Sequence, residues 1–197
     1  MRLQAHDLAC RRGERLLFEG LNLSVAPGQV VWVRGPNGRG KTSLLRLLAG
    51  LSQPADGQVQ AHAPILYIGH QHALKDDLTA IEALSFLQGL HGASTDRAVL
   101  VAALERLGVK AKRDAFVRTL SQGQRRRVAL SRLALAPVGG LWILDEPFDA
   151  LDDQGVATLN ELLVQYGQSG GAVILTSHQA VTLPHVHTLV LNGPVKG

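Results

Sequence analysis

A glycine-rich segment between an apolar run and a helical pattern constrains this chain more than any other feature. Residues 35–42 read Gly-Pro-Asn-Gly-Arg-Gly-Lys-Thr. The preceding residues 30–33 are apolar without alternation, which is typical of a strand buried on both faces. A helix is predicted to begin near Lys41 and to stop at Gly50. Its apolar stripe consists of Leu44, Leu45, Leu47 and Leu48. A strand, a tight loop and a helix in this order predict an α/β protein.

The same segment matches the phosphate-binding pattern GxxxxGK[ST]. Its glycines allow several backbone N–H groups to point inward, and the N-terminus of the helix adds partial positive charge. Lys41 is predicted to reach the β- and γ-phosphates, Thr42 to bind Mg²⁺, and Ser43 to bond an α-phosphate oxygen. The predicted nucleotide-binding residues are Gly35, Pro36, Asn37, Gly38, Arg39, Gly40, Lys41, Thr42 and Ser43.

Two adjacent carboxylates follow the second diagnostic strand, residues 141–144. Asp145, at the end of that strand, is predicted to bind the Mg²⁺. Neighbouring side chains on an extended chain point to opposite sides, so Glu146 is predicted to face the γ-phosphate and to orient or deprotonate water. A nucleotide kinase usually needs only the first carboxylate. The pair therefore favours a hydrolase.

The remaining pattern predicts a mixed sheet with an antiparallel edge and an inserted helical subdomain. Buried strands are expected at residues 65–68, 172–175 and 188–191, and His178, which follows the second of these, is placed to contact the γ-phosphate. Capping boxes predict two helix starts. The caps are the pairs Thr79 with Glu82 and Ser121 with Gln124, and the second helix is predicted to continue through Leu135. The whole chain, residues 1–197, is expected to be one domain with its helical insert at about 71–135.

A second candidate anion site lies at the helix start formed by residues 120–124. Ser121 offers a hydroxyl group, and Gly123 allows close approach of backbone N–H groups to a phosphate. Two distant γ-phosphate sites in one chain make sense if they serve different nucleotides. The residues of this segment are Leu120, Ser121, Gln122, Gly123 and Gln124.

With this segment the chain resembles the ABC ATPase family, whose signature is LSGGQ, with Gln122 in place of the first glycine. The resemblance implies that the signature of one copy caps the ATP held by the phosphate loop of another. It also implies that Gln71 senses Mg²⁺ or the attacking water and couples to membrane subunits. Asp149 and Asp152 resemble the loop that contacts the opposite copy. His178 resembles the family's switch histidine.

One segment departs from the family pattern. An aromatic residue that stacks on adenine is usual near residues 11–13, where this chain has Arg11, Arg12 and Gly13. A guanidinium plane can stack on a base. Arg11 or Arg12 is therefore the candidate replacement.

Four stretches resemble a narrower group, the ATP-binding subunits of bacterial cytochrome c maturation (Ccm) transporters. They lie at residues 67–71, 120–135, 141–156 and 170–179. This resemblance implies haem export, partnership with the membrane subunits of the Ccm system and with a second copy of the chain, and a peripheral location at the cytoplasmic face of the bacterial inner membrane. Membrane contact is expected only through partners, because no apolar run approaches the roughly 18 residues of a membrane span.

Other interpretations stay open at this point. Another small ABC transporter motor would share all the motifs. A soluble ABC ATPase of DNA repair or translation usually needs insertions or paired cassettes, and a small-molecule kinase has no use for the segment at 120–124. The sequence pI of about 9.6 comes without a long Lys/Arg tract, so no nucleic-acid partner is expected. The run Arg125, Arg126 and Arg127 is interpreted as a helix face that packs on its neighbour and contacts solvent.

Overall fold

The computed structural model describes residues 1–90, 92–179, 181, 183 and 186–191. Its strands are β1 (Leu3–Arg12), β2 (Arg15–Val25), β3 (Val30–Arg34), β4 (Asp56–Ala61), β5 (Ile65–Ile68), β6 (Leu141–Leu144), β7 (Ala172–Thr176) and β8 (Val186–Val190). Its α-helices are α1 (Lys41–Leu48), α2 (Ala80–Gly89), α3 (Arg97–Arg106), α4 (Gln122–Leu130) and α5 (Asp153–Gln168). Short 3₁₀ segments lie at Lys110–Lys112, Val117–Thr119 and Ser131–Leu135.

The described residues form two compact units. The core unit comprises residues 1–67, 138–146 and the described part of 164–197. The helical unit comprises residues 68–137 and 147–163. The expected single domain with an insert at about 71–135 stays a prediction. The helical unit also takes in residues 147–163, which the sequence analysis did not assign to the insert.

A five-stranded sheet in the order β5-β6-β7-β3-β8 carries the core unit. Strand β3 runs parallel to β7 and β8, and β6 runs parallel to β7. Every residue of β6 and β7 is buried, as expected for strands covered on both faces. Because these strands are parallel, the loops that follow β3, β6 and β7 all leave from the same edge of the sheet.

The antiparallel strands form a separate three-stranded sheet in the order β2-β1-β4. Helix α1 packs against strands of both sheets, namely β1, β4, β6 and β7. Its four leucines, Leu44, Leu45, Leu47 and Leu48, are all buried. Strand β1 is irregular between His6 and Ala9 where it pairs with β4, and Asp7 there adopts a left-handed conformation with φ of 50°.

The helical unit has its own apolar core. Thr79 caps α2 through a complete capping box, in which its backbone N–H donates to Glu82 Oε2 over 2.8 Å. That bond and the Thr79 hydroxyl lower the pKa of the Glu82 carboxyl. The core side chains come from α2, α3, α4 and the loops beside them. They are Ala80, Ile81, Leu84, Leu100, Ala103, Leu104, Val109, Leu120 and Val128.

Sequence and structure differ at a few element boundaries. Strands β5 and β6 have their predicted limits, whereas β8 begins two residues before its predicted start at residue 188. The helix predicted to continue through Leu135 ends at Leu130 and goes on as a 3₁₀ segment. Ser131 Oγ donates to the Arg127 carbonyl over 2.9 Å, and such a back-bond tends to bend helices. Strand β4 and helix α5 were not predicted.

Replacing Gly57 by alanine should lower the free energy of unfolding more than replacing Gly50 by alanine. Both glycines have left-handed φ angles, of 81° and 71°, so alanine strains either position by about 1–2 kcal/mol. A β-carbon at Gly57 would also collide with the carbonyl oxygens of His6 and Asp7, whereas one at Gly50 would meet nothing within 4 Å. Urea unfolding of both variants checks this. Equal losses would contradict the close approach of β4 to the irregular part of β1.

Candidate nucleotide site

The glycine-rich loop follows β3 at the edge of the parallel sheet. Gly35, Gly38 and Gly40 have φ angles of 151°, 75° and 91°, a region that suits glycine and no other common residue. Helix α1 begins directly after Gly40, where Leu44 N donates to the Gly40 carbonyl over 2.7 Å. No side chain caps this helix start. Its first N–H groups are therefore suited to an anion.

Neighbouring strands fix the shape of this loop. A β-carbon at Gly40 would lie 3.2 Å from Leu17 and 3.4 Å from Phe18, both on β2. A β-carbon at Gly35 would lie 2.9 Å from the Leu191 carbonyl oxygen. The glycines are thus required by packing as well as by backbone conformation.

Lys41 lies at the first position of α1, and its Nζ donates to the Gly35 carbonyl over 2.9 Å. The ammonium group therefore lies over the loop that it is predicted to serve. Thr42 is exposed and Ser43 is half-buried. Burial raises the pKa of the Cys10 thiol, and a hydrogen bond with the Ser43 side chain opposes that shift. Cys10 thus contacts Ser43, which could not be predicted from the sequence.

The acidic pair follows the end of β6, which pairs directly with β7. Asp145 is 2% exposed and Glu146 is 8% exposed. Thr176, at the end of β7, connects them: its hydroxyl accepts from Glu146 N over 2.9 Å and donates to Asp145 Oδ1 over 2.8 Å. One buried hydroxyl group thus holds the carboxylate of Asp145 and the backbone of Glu146.

The conformation of Glu146 differs from the extended chain on which its predicted direction was based. Strand β6 ends at Leu144, and Glu146 has a left-handed φ of 49°. The alternation of side chains along the strand has already ended at this point. The side chains of Asp145 and Glu146 therefore diverge because of the left-handed turn at Glu146 and the hydrogen bond from its backbone N–H to Thr176.

His178 follows β7 and contacts Glu146 through both backbone and side chain. Its N–H donates to Glu146 Oε2 over 2.9 Å, and its Nε2 lies 3.5 Å from Glu146 Oε1. The imidazole is 55% exposed, whereas the Glu146 side chain is 10% exposed. The structure thus brings together two residues that the sequence placed on different strands.

Two further residues of this cluster were missed from the sequence. Thr176 lies just after the strand predicted at residues 172–175 and was given no role, although its position two residues before His178 was a usable signal. Tyr67 is half-buried at the end of β5. Burial and the nearby Asp145 carboxylate raise the pKa of the Tyr67 phenol, and Arg46 opposes that shift. The phenol is therefore a protonated donor at neutral pH.

The oxygen donors present fit a magnesium ion bound with a nucleotide. Thr42 supplies a hydroxyl and Asp145 a carboxylate, the hard oxygen ligands that Mg²⁺ prefers. Among the described residues, no group of three or more His, Cys, Asp or Glu side chains could hold a metal by itself. Such a sparse protein contribution is usual for Mg²⁺, which keeps waters and phosphate oxygens in its shell.

The segment at residues 120–124 opens helix α4 of the helical unit. Ser121 is the N-cap: its hydroxyl accepts from Gln124 N over 3.2 Å, and its own N–H donates to Gln124 Oε1 over 3.0 Å. Ser121 and Gln122 are exposed, whereas Leu120 is buried. A β-carbon at Gly123 would lie 2.6 Å from the Ala150 carbonyl oxygen. Only glycine therefore allows this close approach.

The loop that carries Asp149 and Asp152 packs on the same helix. Arg127 of α4 donates to Asp152 Oδ1 and, over 2.9 Å, to the Leu107 carbonyl. The hydrogen bond from Gly155 N is the main cause that lowers the pKa of Asp152, and Arg127 adds to it. Asp149 Oδ2 lies 3.6 Å from His70 Nδ1. Both aspartates thus lie against α4 or the segment around residue 70.

A cavity of about 910 Å³ lies within the helical unit, and exposed Gln71 lines it. Its other lining residues are His70, His72, Ala73, Leu74, Asp76, Val117, Gln122, Arg125, Arg126, Asp149 and Ala150. Burial, followed by the charges of Arg126, His70 and Arg125, lowers the pKa of His72 to about 4. His72 is therefore neutral at physiological pH, and its buried Nδ1 has no hydrogen-bond partner among the residues that the structure describes.

Arg11 and Arg12, the candidate base-stacking residues, are exposed at the end of β1. Their role stays a prediction. Within the described residues, no helix has both the length and the apolar character needed to cross a membrane.

Comparison with known proteins agrees with this geometry. The family model described as "ABC transporter" matches residues 18–149. The cytochrome c biogenesis ATP-binding export protein CcmA of Aromatoleum aromaticum is 48% identical over 189 residues, covering 90% of this chain and 88% of the relative. The protein of the same name from Pseudomonas putida is 49% identical over 193 residues, covering 92% and 91%.

A solved structure shows the same fold. The dimeric post-hydrolysis state of the ATP-binding cassette MJ0796, bound to ADP and Pi, aligns with a TM-score of 0.79 at 23% identity and covers 90% of this chain and 88% of that one. The predicted fold class, with parallel and antiparallel sheets and a P-loop, is confirmed. The chain is an ATPase of the ABC transporter family and belongs, within that family, to the CcmA group of cytochrome c biogenesis ATP-binding export proteins.

Proposed function

We propose that this chain is the motor subunit of a transporter that exports haem for cytochrome c biogenesis. It works as a pair of identical copies with separate membrane subunits, at the cytoplasmic face of the bacterial inner membrane. The observation that carries this proposal is the identity of nearly half of the aligned residues to CcmA proteins, in alignments that cover about nine tenths of the chain. Haem is the cargo because cytochrome c assembly requires it on the far side of that membrane.

The phosphate loop binds the ATP. Backbone N–H groups of residues 37–40 and the start of α1 surround the phosphates, and Lys41 leaves the Gly35 carbonyl to contact the β- and γ-phosphates. Thr42 and Asp145 would hold the magnesium ion, with Gln71 as a further ligand or sensor. When bound, the ion neutralises charge on the β- and γ-phosphate oxygens.

Glu146 is the general base. Its carboxylate is buried to 8% exposure, and one oxygen already accepts the His178 N–H. The second oxygen, Oε1, is the one that we assign to orient a water molecule and to accept its proton as the γ-phosphorus is attacked. His178, whose Nε2 lies 3.5 Å from Glu146 Oε1, contacts the γ-phosphate. It thereby couples the presence of that phosphate to the position of Glu146.

A second copy completes the site. Ser121 and Gly123 lie at the start of α4, where the positive end of a helix suits a γ-phosphate. Each copy gives this segment to the ATP held by the other, in a two-fold, head-to-tail dimer. The MJ0796 cassette, solved as a dimer with ADP and Pi, supports this arrangement. Hydrolysis removes the bridging phosphate, and the dimer opens.

The cavity beside Gln71 is the point where membrane subunits receive this motion. Gln71 is exposed and lines a space of about 910 Å³, large enough for a short helical segment of another chain. The loop with Asp149 and the start of α4 line the same cavity. An occupant there would therefore contact the segments that we assign to the dimer interface.

Glu146→Gln should lower ATP hydrolysis by about 10²–10⁴-fold, because the amide cannot accept the proton of water. ATP binding should persist, and the variant should accumulate as an ATP-bound dimer. Phosphate release and size-exclusion chromatography with ATP measure these effects. Glu161→Gln, which removes the same charge from the exposed face of α5, should behave as the parent chain. Parent-like hydrolysis by the Glu146 variant would refute the assignment of the base.

Affinity purification of the tagged full chain from detergent-solubilised membranes tests the transporter assignment. We expect integral membrane subunits of cytochrome c biogenesis to co-purify, and the ATPase rate of the assembly to rise with haem but not with iron-free porphyrin. Retention of soluble partners alone would favour a soluble ABC ATPase. Membrane subunits of a different transport system would exclude haem export.

Acid should destabilise the parent chain more than a His72→Gln variant. The folded-state pKa of His72, about 4, lies below its ordinary value of 6.5. The unfolded chain therefore binds a proton at His72 as the pH falls below about 6.5, and the folded chain does not until about 4. Thermal unfolding at pH 7 and pH 5 measures the difference. His62→Gln, at an exposed position, is the control, and an equal pH response of the His72 variant and the parent would disprove the neutral buried state.

A further inference from the structure

Three consecutive arginines follow the signature segment, and the structure gives them different environments. The sequence analysis treated Arg125, Arg126 and Arg127 as one helix face. Arg125 pairs with Asp76 at 3.2 Å and keeps a third of its side chain exposed. Arg126, by contrast, is 1% exposed and is among the largest fully buried side chains in the chain. A buried guanidinium is costly unless acceptors meet its N–H groups.

Arg126 meets two backbone carbonyls of the helical unit. Its Nε donates to the Pro147 carbonyl over 3.2 Å, and its Nη1 donates to the Gly69 carbonyl over 3.0 Å. These acceptors lie in segments that are distant in sequence. Pro147 is joined directly to Glu146, and Gly69 stands two residues before Gln71. One side chain of the signature helix therefore holds the peptide groups beside two residues assigned to hydrolysis.

The planar guanidinium suits this task better than an ammonium group does. Its donors leave in fixed directions from one rigid plane, so two acceptors are held at a set separation and orientation. Lysine keeps the charge but has only one nitrogen, on a flexible stem. Glutamine keeps a short planar donor group without the charge. These two substitutions therefore separate charge from geometry.

We propose that Arg126 is a positioning residue for hydrolysis. It holds the peptide groups of Gly69 and Pro147 against helix α4, and these groups lie in the segments that lead to Gln71 and that follow Glu146. The inference rests on the proposed roles of Gln71 and Glu146. Arg126 itself contacts backbone and needs no contact with ATP. Its loss should therefore lower turnover and leave nucleotide binding in place.

The test compares Arg126→Lys and Arg126→Gln with the parent full chain. Fluorescent ATP binding counts the competent sites and gives Kd, and phosphate release divided by that count gives kcat per site. We expect kcat per site to fall by about 10- to 100-fold, as for small displacements of catalytic groups, with Kd changed by less than about 3-fold. The fall in kcat per site should be nearly as large in Arg126→Lys as in Arg126→Gln, because the positive charge alone does not hold the two carbonyl groups in position.

Arg132→Lys is the matched control. Arg132 is also buried, at 8% exposure, in the 3₁₀ segment that continues α4, and its substitution should leave kcat per site at the parent value. Parent-like turnover per site in both Arg126 variants would overturn the proposal even if their melting temperatures fall. Failure of both variants to form nucleotide-competent sites would also overturn it, because Arg126 would then serve folding. If Glu146→Gln hydrolyses ATP normally, the proposed function fails instead, whatever the Arg126 variants do.

Discussion

The chemistry of the core unit depends on two hydrogen bonds that the buried hydroxyl of Thr176 makes. The hydroxyl accepts the Glu146 backbone N–H and donates to Asp145 Oδ1, so it fixes the backbone of one acidic residue and the carboxylate of the other. The left-handed backbone of Glu146 is a strained state that costs about 1–3 kcal/mol. A fully buried strand end that offers a hydroxyl at this point makes that state the stable one. Valine in the same place would fill the space and leave both partners without their bond.

In the helical unit, too, tertiary contacts fix the conformation of a loop, here the segment at residues 147–152. Gly123 approaches the Ala150 carbonyl so closely that a β-carbon would strike it, while Arg126 and Arg127 hold Pro147 and Asp152. Ala150 itself has a left-handed φ of 61°. The segment at residues 147–152 thus contacts α4 at Pro147, Ala150 and Asp152.

The sequence was informative where local pattern and burial agree. The glycine loop, β6 with its acidic pair and both capping boxes could be located because their signals depend on neighbours in the chain. Thr176 and Arg126 were not recognised, since a threonine in a strand and an arginine in a basic run are ordinary until tertiary contacts are known. Strand β4 was missed for a similar reason. Its residues Asp-Gly-Gln-Val-Gln-Ala are mostly exposed, and pairing with β1 makes them a strand.

The packing of Leu17 and Leu191 around the phosphate loop has a consequence for affinity. Both residues belong to parts of the fold that carry no catalytic group. They lie so close to Gly40 and Gly35 that a β-carbon at either position would crowd against them. The loop therefore acquires its curvature during folding. An incoming triphosphate meets a cradle that is already shaped, and little conformational freedom is left for the ligand to freeze out. Leu17 of the antiparallel sheet and Leu191, which follows β8, thereby contribute to the affinity for ATP.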